Sequence, residues 1–226
     1  MFGPGFVNKG KCCGNRPCCV FECEDLQIEY GKADLNGTGV GSSATFSCQA
    51  GYRLLGNKLL TCTRNGWSEY IPICFASGTT VVTRFGGSRY KFLPGLIDWS
   101  TAEGYCKVQG GNLTTIETKE ENDFLRSVAT LIKTTGEINP NQWWIGLTDK
   151  KTEGSFEWIS GHQLSYTDWY QGGSRQPDNI DSRGGTLNAD CASLSPNYSF
   201  QWVDEACHQL LNAFCEIWSV FIHMPK

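Results

Sequence analysis

Twelve cysteines in a chain of 226 residues constrain this fold more than any other feature of the sequence. They form three groups of four along the chain: Cys12, Cys13, Cys18 and Cys19; Cys23, Cys48, Cys62 and Cys74; Cys106, Cys191, Cys207 and Cys215. An even count lets each group close its own disulfides, which indicates small modules and an oxidising compartment. Since 40% of the residues are apolar, a packed core is expected as well.

Charge and hydropathy exclude two classes of partner. The formal net charge is −4 with the signs interspersed, so no basic stripe can neutralise a phosphate backbone, and nucleic acid is not an expected partner. No apolar run is long enough to span a bilayer. The first residues lack the charged start and long apolar stretch of a signal peptide. A mature form, a fragment and an incomplete gene model all remain open.

Three glycosylation sequons agree with a secreted or extracellular protein. They begin at Asn36, Asn112 and Asn197. The sequence contains only three histidines and has no His-Glu-x-x-His, Gly-x-Ser-x-Gly or phosphate-loop motif. If every cysteine is bridged, no thiol nucleophile remains either. We therefore predict a binding protein and not an enzyme. The oligomeric state is not predicted.

Residues 1–22 form a cysteine-rich segment that is too short for a core of its own. Its paired cysteines, Cys12-Cys13 and Cys18-Cys19, flank Gly14-Asn15-Arg16-Pro17. Disulfides are the expected chemistry in the inferred compartment, and zinc is the alternative. The pairing of these four cysteines is left open.

Residues 23–75 carry short apolar stretches separated by glycine turns, which is typical of a small all-β module. The pattern is Cys48-Gln49-Ala50-Gly51-Tyr52-Arg53-Leu54-Leu55-Gly56, then Thr61-Cys62, Gly66-Trp67 and Pro72-Ile73-Cys74. It resembles the sushi, or complement control protein, module. That resemblance implies the bridges Cys23–Cys62 and Cys48–Cys74. Cys19 competes for the first position, but Cys23 fits the following residues better.

Residues 80–218 mix helical and strand patterns, so the fold class is α+β. Capping boxes at Ser100 to Glu103 and Thr118 to Glu121 predict two helix starts. The second helix then carries an apolar stripe of Phe124, Leu125, Val128, Leu131 and Ile132. Strands are predicted at Trp143–Leu147, Phe156–Ile159, Cys191–Leu194, Phe200–Val203 and Phe214–Ile217.

Five motifs in this region give a second resemblance. They are Trp144-Ile145-Gly146-Leu147, Glu153-Gly154, Phe156-Glu157-Trp158, Gln176-Pro177-Asp178, and Trp202-Val203-Asp204-Glu205-Ala206-Cys207 leading to Phe214-Cys215-Glu216. Together they resemble a C-type lectin-like domain of the short form, with two helices and a long loop. The resemblance implies bridges Cys106–Cys215 and Cys191–Cys207. A sushi module before the lectin-like domain reverses the order of selectins and lecticans, so their biology does not transfer.

The long loop of such domains holds calcium and sugar together, and calcium requires six to eight oxygen ligands. The resemblance assigns this role to Gln176, Asp178 and Asp204, in the order that galactose-preferring members show, with Pro177 a candidate cis residue. Two further ligand positions are occupied by Ala189 and Val203.

Three ligand residues of five therefore remain at the sugar site. Ile180 stands where galactose binders often carry a stacking tryptophan. Asn188, Asp181 or water are open as substitutes, and the alternative is that Gln-Pro-Asp is only a turn. A second set, Asp149, Glu153, Asn179 and Asp190, matches an auxiliary calcium site.

Two functional hypotheses follow. The first is a lectin for recognition or adhesion that binds glycans or glycoproteins, calcium-dependent and galactose-leaning. The second is a calcium-independent interaction protein, which uses the lectin-like fold as a rigid scaffold. Gln176-Pro177-Asp178 favours the first hypothesis, and Ala189 and Val203 favour the second.

Overall fold

A computed structural model describes residues 6–12, 16–69, 71–76, 80–135, 142–181 and 188–218. Side chains are described from residue 21 onward, apart from those of residues 135 and 218. The chain divides into two compact units, Met1–Ser77 and Gly78–Lys226. The open pairing of the first four cysteines lies outside the described side chains.

The first unit consists of strands only among the residues that are described. An N-terminal antiparallel hairpin precedes a four-stranded sheet in the order β3-β4-β6-β7 and a separate pair of β5 and β8. The strands are β1 (Phe6–Cys12), β2 (Arg16–Phe21), β3 (Gly31–Leu35), β4 (Ser43–Cys48), β5 (Arg53–Leu55), β6 (Leu59–Thr63), β7 (Gly66–Trp67) and β8 (Ile73–Phe75). Alternation along β4 buries Ala44 and Phe46 against Leu26 and Leu60, and this forms the small core.

Two disulfides stabilise this small core. They join Cys23 to Cys62 and Cys48 to Cys74, across 39 and 26 residues of sequence, and these are the pairs that the sushi resemblance implies. Closing loops of this size stabilises the fold by about 4 kcal/mol each. Gly31 is required beside the second bridge, because a Cβ there would lie 2.5 Å from the Cys74 sulfur.

The second unit is an eight-stranded sheet with two helices. The sheet order is β15-β14-β12-β16-β10-β9, with β11 paired to β16 and β13 paired to β12. All pairs are antiparallel except β12 with β16. The elements are β9 (Val81–Phe85), β10 (Ser88–Ile97), α1 (Trp99–Val108), β11 (Gly111–Leu113), α2 (Lys119–Thr135), β12 (Trp143–Thr148), β13 (Glu157–Trp158), β14 (Cys191–Ser195), a 3₁₀ turn (Pro196–Tyr198), β15 (Gln201–Glu205) and β16 (Leu211–Trp218).

The helix starts confirm one prediction and correct the other. Thr118 caps α2, since its hydroxyl accepts the backbone N–H of Glu121 at 3.1 Å. The prediction that Ser100 caps α1 is wrong. Asp98 is the cap, because its carboxylate accepts both the N–H and the hydroxyl of Thr101. A carboxylate two residues upstream therefore takes the place expected for the serine.

Two strand boundaries also differ from prediction. β15 begins at Gln201 instead of Phe200, because Ser199 and Phe200 adopt left-handed φ angles of 55° and 60° at the end of the 3₁₀ turn. β13 is limited to Glu157–Trp158. The other three predicted strands lie within β12, β14 and β16.

The core of the second unit is aromatic and cross-linked. Phe92, Trp143 and Phe214 form a cluster with ring centroids 4.4 to 5.9 Å apart. The apolar stripe of α2 faces inward, with Leu125 and Val128 fully buried. Disulfides Cys106–Cys215 and Cys191–Cys207 are those the lectin-like resemblance implies. The first joins α1 to the last strand, and the second joins the start of β14 to the segment after β15.

Candidate functional site

The long loop, residues 159–190 between β13 and β14, is attached to strand β15 at residues 168–170, which we call the loop root. Trp169 forms an isolated parallel bridge with Trp202 of β15. The backbone N–H of Trp202 donates to the carbonyl of Asp168 at 2.9 Å, and that of Tyr170 donates to the carbonyl of Trp202 at 2.9 Å. These bonds fix the position of residues 168–170 against the edge strand β15.

Asp204 of β15 lies at the centre of the candidate site and is only 2% exposed. Its carboxylate accepts the backbone N–H of Asp178 at 3.1 Å from both oxygens and that of Asn179 at 2.6 Å. Burial raises the pKa of Asp204 to about 6, although these backbone donors act to lower it. The carboxylate fixes the path of the loop through bonds to the chain itself.

Gln176 completes this arrangement from the loop side. Its side-chain oxygen accepts the backbone N–H of Asp204 at 3.1 Å, and its own backbone N–H donates to Tyr170 at 2.8 Å. The Gln176–Pro177 peptide bond is cis, as predicted. The strand thus donates to the loop, from the Asp204 N–H to Gln176, and the loop donates to the strand, from the N–H groups of Asp178 and Asn179 to the Asp204 carboxylate.

Asp178 and Ile180 form the outer part of the loop. One oxygen of Asp178 accepts the backbone N–H of Ile180 at 3.0 Å, which is a local turn bond. The side chain of Ile180 is 46% exposed. The three predicted sugar-site residues Gln176, Asp178 and Asp204 are therefore adjacent, and their oxygens accept hydrogen bonds from the loop and from β15.

The two positions that depart from the family pattern are buried. Ala189 is 1% exposed and Val203 is 2% exposed, and Val203 pairs with Ser193 across β14 and β15. Neither side chain carries an oxygen. Of the two residues considered as substitutes, Asn188 donates its amide to Asp190 at 2.9 Å, and Asp181 accepts from Gln209 at 2.5 Å.

In the auxiliary set, Asp149 is 3% exposed. One Asp149 oxygen accepts the backbone N–H of Gly154 at 2.8 Å. The other oxygen, Oδ1, is buried without a hydrogen-bond partner in the described part of the chain. Burial, and secondarily the nearby charge of Asp190, raise the pKa of Asp149. Asn179 accepts the N–H of Ala189 at 2.7 Å, and Glu153 is exposed.

Two family models match this chain. Residues 96–217 match the family model of the Lectin C-type domain, and residues 23–74 match that of the Sushi repeat (SCR repeat). The chain belongs to the C-type lectin family. Both families are non-enzymatic kinds of protein.

Two curated relatives match part of this chain. Versican core protein of Rattus norvegicus is 32% identical over 142 residues, which is 63% of this chain and 5% of versican. Asialoglycoprotein receptor 2 of Mus musculus is 31% identical over 134 residues, 58% of this chain and 39% of the receptor. The chain thus spans a minor part of each relative's length.

Solved C-type lectin structures share the fold. Human lithostathine superposes with a TM-score of 0.51 at 29% identity and covers 61% of this chain and 96% of its own. The cow carbohydrate-recognition domain of CD23, solved in the presence of GlcNAc2Man3 oligosaccharide, gives 0.50 at 26% identity, covering 61% and 93%.

The C-type lectin fold implies calcium, and the two candidate sites differ in how well they fit it. At the sugar site the Asp204 oxygens are occupied by backbone N–H groups, and Ala189 and Val203 supply none, so the residues do not fit the ion as they stand. At the auxiliary site the Asp149 oxygen Oδ1, close to Asp190, has no hydrogen-bond partner in the described part of the chain. A cation bound there would satisfy this oxygen. Among the described residues no group of three or more His, Cys, Asp or Glu side chains is arranged to hold a metal.

Sequence reasoning missed one set of residues in this C-type lectin domain. Asn122, Arg126 and Asp168 form a hydrogen-bonded cluster at the root of the long loop. Asn122 and Asp168 are 46 residues apart in sequence, and neither belongs to a motif, so no local signal indicated their contact.

The predicted sequons differ in exposure. Asn36 and Asn197 are exposed, and Asn112 is half-buried in β11. In the described part of the chain no helix is long and apolar enough to cross a membrane.

Proposed function

We propose that this protein is an extracellular recognition protein whose C-type lectin domain binds glycoprotein partners through the long loop, without calcium at the Gln176/Asp178/Asp204 site. One observation carries the proposal. The Asp204 carboxylate already holds the loop through the backbone N–H groups of Asp178 and Asn179. A loop that is shaped by its own hydrogen bonds needs no ion to define its surface, and preorganisation favours binding.

The loop also offers a surface suited to a partner of mixed polarity. Ile180 is an exposed apolar side chain, and Asp178 lies beside it. An apolar contact rimmed by polar groups is the usual composition of a protein recognition site. The disulfides of both units agree with an extracellular location.

A second candidate function is calcium-dependent carbohydrate binding with a preference for galactose. It is favoured by the convergence of Gln176 and Asp178 on Asp204 in one small region. In this case the ion would have to displace backbone N–H groups from Asp204. The auxiliary residues Asp149 and Asp190, with Asn179 and Glu153, would hold a separate calcium ion that neutralises buried charge in either function.

Chromatography on immobilised galactose and on immobilised desialylated serum glycoproteins, with calcium and then with chelator, separates the two functions. We expect glycoprotein binding to persist in chelator and to be weakened by Ile180→Ala. The control is Glu157→Ala, which removes an exposed carboxylate from β13 that pairs with Lys151. Retention on galactose that is lost in chelator would overturn the proposal and support the second candidate. Absence of all glycoprotein binding would also overturn it.

A further inference from the structure

Three side chains donate to one carboxylate at the root of the long loop. The Asp168 oxygen Oδ2 accepts from the amide of Asn122 at 2.8 Å and from the guanidinium of Arg126 at 2.7 Å. Its other oxygen accepts from the amide of Gln201 at 3.2 Å. The donors come from helix α2 and strand β15, so Asp168 joins these two elements to the loop at the point where the loop is attached to β15.

The two α2 residues of this cluster each make a further hydrogen bond. Asn122 is 0% exposed, and its amide oxygen accepts the indole N–H of Trp202 at 2.8 Å. Arg126 donates a second bond, from Nε to the carbonyl of Ser199 at 3.0 Å. Helix α2 thus contacts the turn before β15, the indole of β15 and the loop root.

A continuous series of hydrogen bonds leads from Asp168 to the candidate site. The carbonyl of Asp168 accepts from Trp202, the carbonyl of Trp202 accepts from Tyr170, and the carbonyl of Tyr170 accepts from Gln176, at 2.8 to 2.9 Å. The side-chain oxygen of Gln176 then accepts from Asp204 at 3.1 Å. Each bond fixes one backbone segment relative to the next.

We infer that Asp168 is the positioning residue of the long loop: by holding the loop root to α2 and β15, it sets the arrangement of Gln176, Asp178 and Ile180 on the recognition surface. The inference rests on the proposed function for the use of that surface. Asp168 itself lies at the root and acts through Trp202 and Tyr170. Asp168 is partly buried, and its loss leaves three side-chain donors, those of Asn122, Arg126 and Gln201, without their acceptor. A polar network specifies one arrangement only when its members are satisfied.

Hydrogen exchange tests the inference without any ligand. In Asp168→Ala the backbone N–H groups of residues 169–181, apart from Pro177, should exchange on the order of ten-fold faster, since hydrogen bonds to charged groups shift local opening by at least this factor. Peptides from β16 should be unchanged. Asp168→Asn keeps one carbonyl acceptor and should give a smaller increase. The control Asp123→Ala removes a carboxylate of α2 that pairs with Lys119 on the helix surface, and it should leave the loop unchanged.

The outcomes are distinct. The positioning role is supported if exchange becomes faster only in residues 169–181, most in Asp168→Ala, less in Asp168→Asn and not at all in the control Asp123→Ala. Equal acceleration in the loop and in β16 would mean that Asp168 only stabilises the domain, and unchanged exchange would mean that the loop is held elsewhere; either result overturns the inference. If glycoprotein binding is absent while exchange responds as expected, the proposed function fails and the positioning role stands.

Discussion

Replacing Asp204 with asparagine is expected to change how the stability of the C-type lectin domain depends on pH. The carboxylate is 2% exposed, and its pKa of about 6 lies above the ordinary 3.8. The folded state therefore holds the proton more tightly than the unfolded state. The stability that this contributes is fully present below about pH 4 and is lost as the pH rises through about 6. In Asp204→Asn this contribution is absent.

The size of the effect follows from the pKa. One pKa unit corresponds to about 1.36 kcal/mol, so the rise from 3.8 to about 6 gives an upper value of about 3 kcal/mol. At pH 4 the carboxyl of the unfolded chain is already more than half ionised, so only part of this value is present there, and we expect a change of about 2 kcal/mol between pH 4 and pH 7. The unaltered protein should therefore lose about 2 kcal/mol more stability between pH 4 and pH 7 than the variant does.

Urea unfolding at pH 4, 5, 6 and 7, followed by tryptophan fluorescence, measures this difference. Seven of the eight tryptophans lie in the unit Gly78–Lys226, so the signal reports the lectin domain. Burial also raises the pKa values of Asp149, Glu121 and Glu216. These groups titrate in both proteins, and their contribution cancels when the two stabilities are subtracted.

Parallel pH profiles for the two proteins would refute this account of Asp204. Repeating the series with calcium adds a second test. An ion bound to Asp204 would favour the ionised carboxylate and lower its pKa, which would abolish the difference between the profiles. We expect the difference to remain, because the Asp204 oxygens are occupied by backbone N–H groups.

Three further predictions concern packing and calcium. Gly111→Ala should lower the free energy of unfolding in urea by about 1–3 kcal/mol, because a Cβ would lie 1.9 Å from a backbone oxygen of β16. Gly104→Ala in α1 should raise it by about 0.5–1 kcal/mol. Equal unfolding free energies for the two variants would contradict this. The double variant Ala189→Glu with Val203→Asn should have a lower melting temperature in chelator, since both positions are buried. Calcium should restore the melting temperature and give retention on galactose. A melting temperature that does not change with calcium would show that no site was restored. Calcium should raise the melting temperature of the unaltered protein by satisfying Asp149, and Asp149→Ala should abolish that rise, as scanning fluorimetry would show.

The two family resemblances, which the cysteines and the motifs carry, were enough to predict the fold class. Four cysteine pairs implied by the two resemblances are bonded in the structure. Both predicted helices occur, α2 with its predicted cap and α1 with its cap two residues before the predicted one. The errors lie at element ends, where single side chains decide. Asp98 caps α1 in place of Ser100 because its carboxylate reaches Thr101, and a pattern of residue types does not show which of two nearby oxygens does so.

The candidate site was predictable only as a set of residues. The family resemblance names Gln176, Asp178 and Asp204, and the structure brings them together. It does not tell which partners their oxygens take, because that depends on the backbone path of the loop. The bond from Asn179 to Asp204 spans 25 residues, and that from Asn122 to Asp168 spans 46. Contacts at such separations follow from the tertiary fold and leave no periodic signal.

The buried positions of Ala189 and Val203 and the bonds of Asp204 have one physical explanation. A calcium ion in this loop would require oxygens at both positions and a free carboxylate at Asp204. With apolar side chains there, the carboxylate would be left buried and unsatisfied, which is costly. The backbone N–H groups of Asp178 and Asn179 supply the missing partners at 2.6 to 3.1 Å. The described part of the loop at Asp178 and Asn179 is therefore held by bonds to Asp204, and for this reason we expect the proposed recognition surface to form with or without calcium.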